Sequence, residues 1–470
     1  MTRGKLYIAI VFLVLSLAAG VRLWHLSRPD LNLDELHYAT EAYNWLRGDS
    51  SISFRRHPFQ HPEPNMGHPF APLSLTAFAF QIAGPSVYTA RIVSAMCGIL
   101  MILLILLFNG ELQFTALATG LLYAILPLAV RYNRAAYLDS IFAVCITLSV
   151  LSIWRYHRRM SGLIWLVLAG VASGLAISTK LNGLLVIVLD IGLIVVSRRK
   201  SSEHVTHIKQ TVVTLGIVLA VVLVTVVLFN DIPSYIDGIM HPSDPIVYLL
   251  SVGALQTPLR FPIEIFPVVW MLLSPGIAIA GVMSILFSFR RKSHTNTFLL
   301  LWFFGTLLIA LVQGIGGSGE WGWLPMIPPF LFITVRTILL CNPRYFRICI
   351  IALAVIALPY TYMYGLYIKP LPFRKSILFN RTQKDVFYQN IILMINCLTP
   401  MGGKIYIESY SEIPIFMLRR DIQITNDKSV SDVAVVDGIE ADVSDTHILY
   451  KTASAIQNGV VVMRYIYKKR

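Results

Sequence analysis

Apolar runs of membrane-crossing length, separated by short basic segments, dominate this chain and limit what it can fold into. The first extends from Leu6 to about Leu26. A helix needs roughly 20 apolar residues to cross a ~30 Å hydrocarbon core, and about ten further runs approach that length before residue 368. Hydrophobic residues make up 56% of the chain and charged residues 14%. The charged share is about half that of a soluble domain. A net charge of +14 would suggest nucleic acid in a soluble protein. Here the basic residues cluster between apolar runs, as cytoplasmic loops do, so no nucleic-acid partner is expected.

Charge then orients the spans. Met1 to Lys5 carries Arg3 and Lys5 ahead of an apolar run that passes Leu17-Ala-Ala-Gly20, a small-residue stretch like a signal-peptide cleavage site. The run continues to bilayer length, so an uncleaved anchor with a cytoplasmic N-terminus is expected. Ser27 to Phe70 forms a polar outer loop with an amphipathic helix from Glu35 to Arg47. A helix from Pro72 to Ala83 is too short to span and reads as interfacial. Later spans begin near Arg91, Phe114, Asp139, Leu163 and Thr211, among others. Arg155 to Arg159, Ser197 to Lys200, Arg290 to Lys292 and Arg344 to Arg347 all fall on one side, as the positive-inside rule requires.

The fold class is therefore an α-helical polytopic membrane protein of about 11 transmembrane helices. Residues 1–368 form the membrane domain, including the first outer loop at 27–70. Residues 369–470 form a small C-terminal α/β domain on the extracytoplasmic face, with a helix from Gln383 to Leu398 and strands at Lys404–Glu408, Val433–Val436 and Val460–Ile466. The expected location is the plasma (inner) membrane, multi-pass, with the C-terminus outside.

The outer-face polar residues form the candidate site. Asp34 and Glu35 follow the first span directly, and acids beside the membrane are functional candidates by default. Asp34 could equally cap the helix beginning at Glu35. Arg91 opens the second span, Arg131 and Arg134 join the third to the fourth, and Lys180 ends the fifth. For Arg91 and Arg131, snorkelling to lipid phosphate is the structural alternative. Asp139 starts a span, where a helix N-terminus favours a carboxylate for purely structural reasons. Tyr38 and Trp45 lie at helical spacing after the acids and fit an interfacial belt.

Five segments, taken in order, carry a resemblance. They are Asp34-Glu35, then His68-Pro69-Phe70-Ala71-Pro72-Leu73, then Gly84 with Ala90-Arg91-Ile-Val-Ser94-Ala-Met-Cys-Gly98. Arg134-Ala-Ala-Tyr-Leu-Asp139 and Gly174-Leu-Ala-Ile-Ser-Thr179-Lys180 complete the series. The chain resembles the GT-C glycosyltransferases that use polyprenyl-phosphate sugars, in particular the protein O-mannosyltransferase and lipid A aminoarabinose transferase group. At Glu320-Trp321-Gly322-Trp323 it departs from the basic residue that often precedes an aromatic-x-Leu-Pro sequence there. That departure leaves the donor sugar open.

The resemblance implies a sugar donor on a polyprenyl phosphate and an acceptor hydroxyl on protein, lipid or envelope glycan. It implies a catalytic acid in the first outer loop, with Asp34 as general base and Glu35 secondary. General-base assistance is worth about 10²–10⁴-fold in rate. Lys180, Arg91, Arg131 and Arg134 are the candidates for the donor phosphate, with Asp139, His68 and Tyr38 beside them. In the family reading Asp139 orients a phosphate-binding Arg or Lys, or contacts the sugar.

His57, His61 and His68 are separated by prolines and lack zinc-site spacing. A Mg²⁺ or Mn²⁺ held through Asp34 or Glu35 is compatible with the reading but not required by it. The isolated cysteines Cys97, Cys145, Cys341, Cys349 and Cys397 form no CxxC pair and indicate neither a disulfide framework nor a zinc site. Two alternatives remain: a secondary transporter and a non-enzymatic membrane scaffold. A transporter predicts internal pseudo-symmetry and ionisable residues at the bilayer midplane. No repeat relates the two halves, and Asp190 is the one acid in the middle of a span.

Overall fold

The computed structural model describes residues 3–27, 33–46, 70–108, 112–158, 163–196, 204–229, 270–291, 293–315, 320–341, 343–366, 403–407, 423–424, 433–436, 447–457 and 460–469. In chain order the helices are α1 (Arg3–Leu23), α2 (Leu33–Leu46), α3 (Phe70–Ala83), α4 (Val87–Leu106), α5 (Gln113–Ile125), α6 (Pro127–Asn133), α7 (Asp139–His157) and α8 (Leu163–Ile177). A 3-10 turn, Leu181–Gly183, leads into α9 (Leu184–Val196) and α10 (His204–Phe229). Then come α11 (Pro275–Arg290), α12 (His294–Ile315), a 3-10 segment (Glu320–Met326), α13 (Ile327–Cys341) and α14 (Phe346–Tyr360). A π-helical turn, Thr361–Gly365, ends this last helix.

Among the described residues, five helices are long and apolar enough to cross a membrane, and a bent pair makes a sixth. Other apolar runs among the described residues lie on shorter helices, such as Leu163–Ile177, Leu184–Val196 and Pro275–Arg290. This is a multi-pass helical membrane protein.

Two of the spans differ from the hydropathy reading. The third, expected as one helix from Phe114 to Val130, is broken into α5 and α6, which bend by 63°. Pro127 has no N–H to give the carbonyl of Tyr123, and Leu126 before it takes an extended backbone (φ −67°, ψ 125°). The second span starts at Val87 rather than Arg91. Gly84 turns the chain at φ +75°, and Ser86 and Thr89 then cap the new helix reciprocally. The Ser86 N–H donates to Thr89 Oγ1 at 2.9 Å and the Thr89 N–H donates to Ser86 Oγ at 3.1 Å.

The chain divides into two compact units. One comprises Met1–Trp24 and Ser94–Arg374. In it α8 packs on α7 and on α10, α12 on α9, and α13 on α5 and α11. Glycines permit the close approach: a Cβ on Gly174 would sit 2.6 Å from Val221 Cβ, and one on Gly281 1.9 Å from the Phe330 ring. The aromatic core stacks Phe108 on Trp302 at 5.6 Å between ring centres. Asp190, buried in α9, accepts hydrogen bonds from Ser149 at 2.7 Å and Ser173 at 2.5 Å, tying α7, α8 and α9 together. This satisfied carboxylate is the midplane acid on which a transporter reading would rest.

The other unit comprises His25–Val93 and Lys375–Arg470. There α2 packs on α3, with Tyr38, Ala39 and Ala42 buried at helical spacing on one and Leu73, Ala77 and Phe80 on the other. Tyr43 meets Phe80 edge-on at 6.2 Å. The C-terminal segment holds a mixed five-stranded sheet, β1 (Lys404–Ile407), β2 (Gln423–Ile424), β3 (Val433–Val436), β4 (His447–Gln457) and β5 (Val460–Lys469), in the order β2-β1-β3-β5-β4. Strand β1 runs parallel to β2 and β3, whereas β5 is antiparallel to β3 and β4. The expected helix Gln383–Leu398 lies outside the described residues. Strands β2 and β4 were not expected. Asn458-Gly459, a dipeptide favoured between hairpin strands, is the sequence signal for β4.

Candidate active site

Each unit holds a charged cluster, and each is built from residues singled out in the sequence. In the helical unit, Asp139 opens α7 and is fully buried. Lys180 follows the end of α8, and its Nζ donates to both carboxylate oxygens of Asp139, at 2.8 and 2.9 Å. Local backbone fixes that lysine. Its N–H reaches back to the Ala176 carbonyl at 3.1 Å, and its own carbonyl accepts from the Gly183 N–H at 2.8 Å. A Cβ on Gly183 would lie 2.6 Å from the Ile177 nitrogen and 2.7 Å from the Ala176 carbonyl. Only glycine lets this 3-10 turn fold back on α8.

An ammonium has three N–H donors. Asp139 takes two, and the Lys180 side chain retains 11% exposure, so the third can meet an anion. Lys180→Ala should weaken use of a lipid-phosphate donor, and Lys180→Arg should recover only part of it, because a planar guanidinium cannot reproduce the ammonium's placement. The check is initial transfer rate against donor concentration. Parental behaviour of both variants would make Lys180 an interfacial anchor.

The two neighbouring arginines hold backbone. Arg134 Nη1 donates to the carbonyls of Val21 (2.9 Å), Arg22 (3.1 Å) and Trp24 (2.6 Å), at the end of α1. A cation at a helix C-terminus satisfies orphan carbonyls and complements the macrodipole. Arg131 Nη1 donates to the Tyr364 carbonyl at 2.8 Å, in the π-helical turn. Thr361 of that turn donates to the carbonyl of Ile125, the last residue of α5.

Arg22 escaped the sequence reading, although a charge inside a membrane-length apolar run is itself a signal. It is fully buried. Its Nη1 donates to Ala124 O at 3.0 Å and its Nη2 to Tyr123 O at 3.3 Å, the carbonyls left at the broken end of α5. Its Nε and Nη2 both reach Asn133 Oδ1 at 3.2 Å.

In the second unit, Glu35 and Arg91 form a buried two-pronged ion pair. Arg91 Nε donates to Oε1 at 2.8 Å and Nη2 to Oε2 at 2.9 Å, while Nη1 donates to Leu26 O at 3.1 Å. Tyr38, one helical turn after Glu35, is buried. Asp34 has its backbone in α2, but its side chain lies outside the described residues, as does all of His68. Among the described residues, no three His, Cys, Asp or Glu side chains group as a metal site.

The fold is that of the GT-C membrane glycosyltransferases. The archaeal oligosaccharyltransferase AglB from Archaeoglobus fulgidus, in complex with an inhibitory peptide and a dolichol-phosphate, superposes with a TM-score of 0.56 at 12% identity, covering 93% of this chain and 70% of its own. ArnT from Cupriavidus metallidurans, in the apo state, gives a TM-score of 0.55 at 14% identity, over 98% of this chain and 97% of its own. By sequence, residues 10–236 match the family model described as dolichyl-phosphate-mannose-protein mannosyltransferase. The chain matches no curated protein by sequence. The family match, over a little less than half of the chain, and the shared fold together support a glycosyltransferase.

Proposed function

We propose that the chain transfers a sugar from a polyprenyl-phosphate donor to an acceptor hydroxyl on protein, lipid or envelope glycan at the extracytoplasmic face of the plasma (inner) membrane. The observation that carries this reading is the family match over residues 10–236, which takes in Asp34, Glu35, Asp139 and Lys180. A fold shared with a protein solved with dolichol-phosphate supports the donor class.

Asp34 takes the acceptor's hydroxyl proton as the acceptor oxygen bonds to the anomeric carbon. The bond from that carbon to the phosphate oxygen breaks, and its electron pair stays on the phosphate. Lys180, held by Asp139, meets that growing charge. An ion pair at ~4 Å is worth on the order of 4 kcal/mol at an effective dielectric near 20. Preorganised charge of this kind is usually the largest catalytic contribution. Arg131 and Arg134 remain phosphate candidates that also anchor backbone carbonyls. No step runs through a divalent cation. Both oxygens of Glu35 are engaged by Arg91, so Asp34 is the carboxylate of that pair that could hold one.

Comparing lipid-linked and surface glycans by mass spectrometry, with and without the gene, tests the activity, and unchanged glycans would overturn it. The topology carries its own test. The one-sided basic clusters predict a tag at Lys292 in the cytoplasm and one at Arg470 outside. Both tags on one side would remove the orientation on which the site depends.

A further inference from the structure

Asp139 and Lys180 come from different helices, and the register of Asp139 depends on where α7 begins. The next residue, Ser140, ties that start to α6. Asn133 Nδ2, at the end of α6, donates to Ser140 Oγ at 3.0 Å, and Ser140 Oγ lies 3.3 Å from the Tyr132 carbonyl, to which it donates. Asn133 is gripped in turn by Arg22 through Nε and Nη2. Arg22 is anchored on the carbonyls freed by the Pro127 break. The tie therefore runs from the broken helix α5 through Arg22 and Asn133 to Ser140, the residue beside Asp139.

Two features mark this tie as more than packing. Among the described residues, Arg22 has only neutral hydrogen-bond partners, carbonyls and one amide. A buried cation without a carboxylate is costly within a membrane. Its planar fork, with donors aimed in several directions, can serve the helix end and Asn133 at once, whereas an ammonium cannot. The neighbouring helix also makes room for it. A Cβ on Gly98 of α4 would lie 2.5 Å from Asn133 Cγ and 2.6 Å from Arg22 Nε.

We infer that Arg22, Asn133 and Ser140 are positioning residues that set the Asp139–Lys180 pair for the donor phosphate. The inference rests on the reading of Lys180 given above. It is tested at Ser140, the link nearest the pair and the smallest change.

The full chain in nanodiscs is titrated with undecaprenyl phosphate, for the parent, Ser140→Ala, Lys180→Ala and the double variant. Ser140→Ala should weaken binding about fivefold, the equilibrium worth of one net hydrogen bond. In the Lys180→Ala background the same change should have almost no further effect, because coupled residues are non-additive. A second readout needs no ligand. Acetic anhydride should label Lys180 faster in Ser140→Ala than in the parent, by peptide mass spectrometry. Asn133→Leu should do the same more strongly, and Asn133→Asp, which still accepts from Arg22, less. Unchanged Lys180 labelling, or equal loss of binding in both backgrounds, would overturn the inference. If Lys180→Ala itself binds undecaprenyl phosphate like the parent, the phosphate role of Lys180 fails, and labelling alone decides whether the tie positions it.

Discussion

Asp34→Asn is expected to cut sugar transfer by a hundredfold or more while leaving the protein folded and able to bind donor. Magnitudes separate the two roles open to this residue. As the second residue of α2, Asp34 lies in a first helical turn, where a carboxylate contributes about 0.3–1 kcal/mol through the helix dipole. Asparagine keeps the size and much of the hydrogen bonding, so a purely structural Asp34 would show a small stability loss and near-parental rate. A general base that can no longer take a proton loses about 10²–10⁴-fold. Transfer from a polyprenyl-phosphate sugar in nanodiscs, with donor binding measured separately, distinguishes the two. Near-parental transfer by Asp34→Asn would sink the mechanism.

Much of this architecture is legible in the chain because lipid is an undemanding reader: long apolar runs and basic clusters suffice to place helices. What hydropathy cannot register is a single missing N–H. Pro127 breaks α5 from α6, yet the run from Phe114 to Val130 stays apolar throughout. The consequences of the break are tertiary. The carbonyls of Tyr123 and Ala124 find Arg22, about a hundred residues away in sequence. Arg134 and Arg131 are likewise visible as outer-face cations, but nothing local says that they hold the ends of α1 and of the Thr361–Gly365 turn. The pairing of Asp139 with Lys180 follows the order of the sequence motifs, whereas that of Glu35 with Arg91 does not. Both of the latter look like free charges at a membrane edge until α2 and α4 are brought together. Strand β4 was hidden differently, since Lys451, Thr452 and Ser454 interrupt its apolar pattern after the short run Ile448-Leu449-Tyr450.

The Glu35–Arg91 pair leads to the second large expectation, a loss of stability rather than of chemistry. Glu35 spends both oxygens on Arg91, and each side chain of the pair is only 2% exposed. Removing one partner of a buried pair strands the other charge and costs about 3–5 kcal/mol. Glu35→Gln keeps one acceptor but turns an amide NH₂ toward the guanidinium, where two donors face each other. Its apparent melting temperature in detergent should fall by several degrees. Adding Arg91→Gln should restore part of the loss, because no unpaired charge then remains. Asp34→Asn should melt close to the parent. Activity per folded molecule completes the argument: Glu35→Gln should lose less than Asp34→Asn. A Glu35→Gln protein that melts like the parent yet transfers no sugar would move the base by one residue, from Asp34 to Glu35. A variant with parental melting and parental transfer would instead show that the ion pair contributes neither stability nor chemistry.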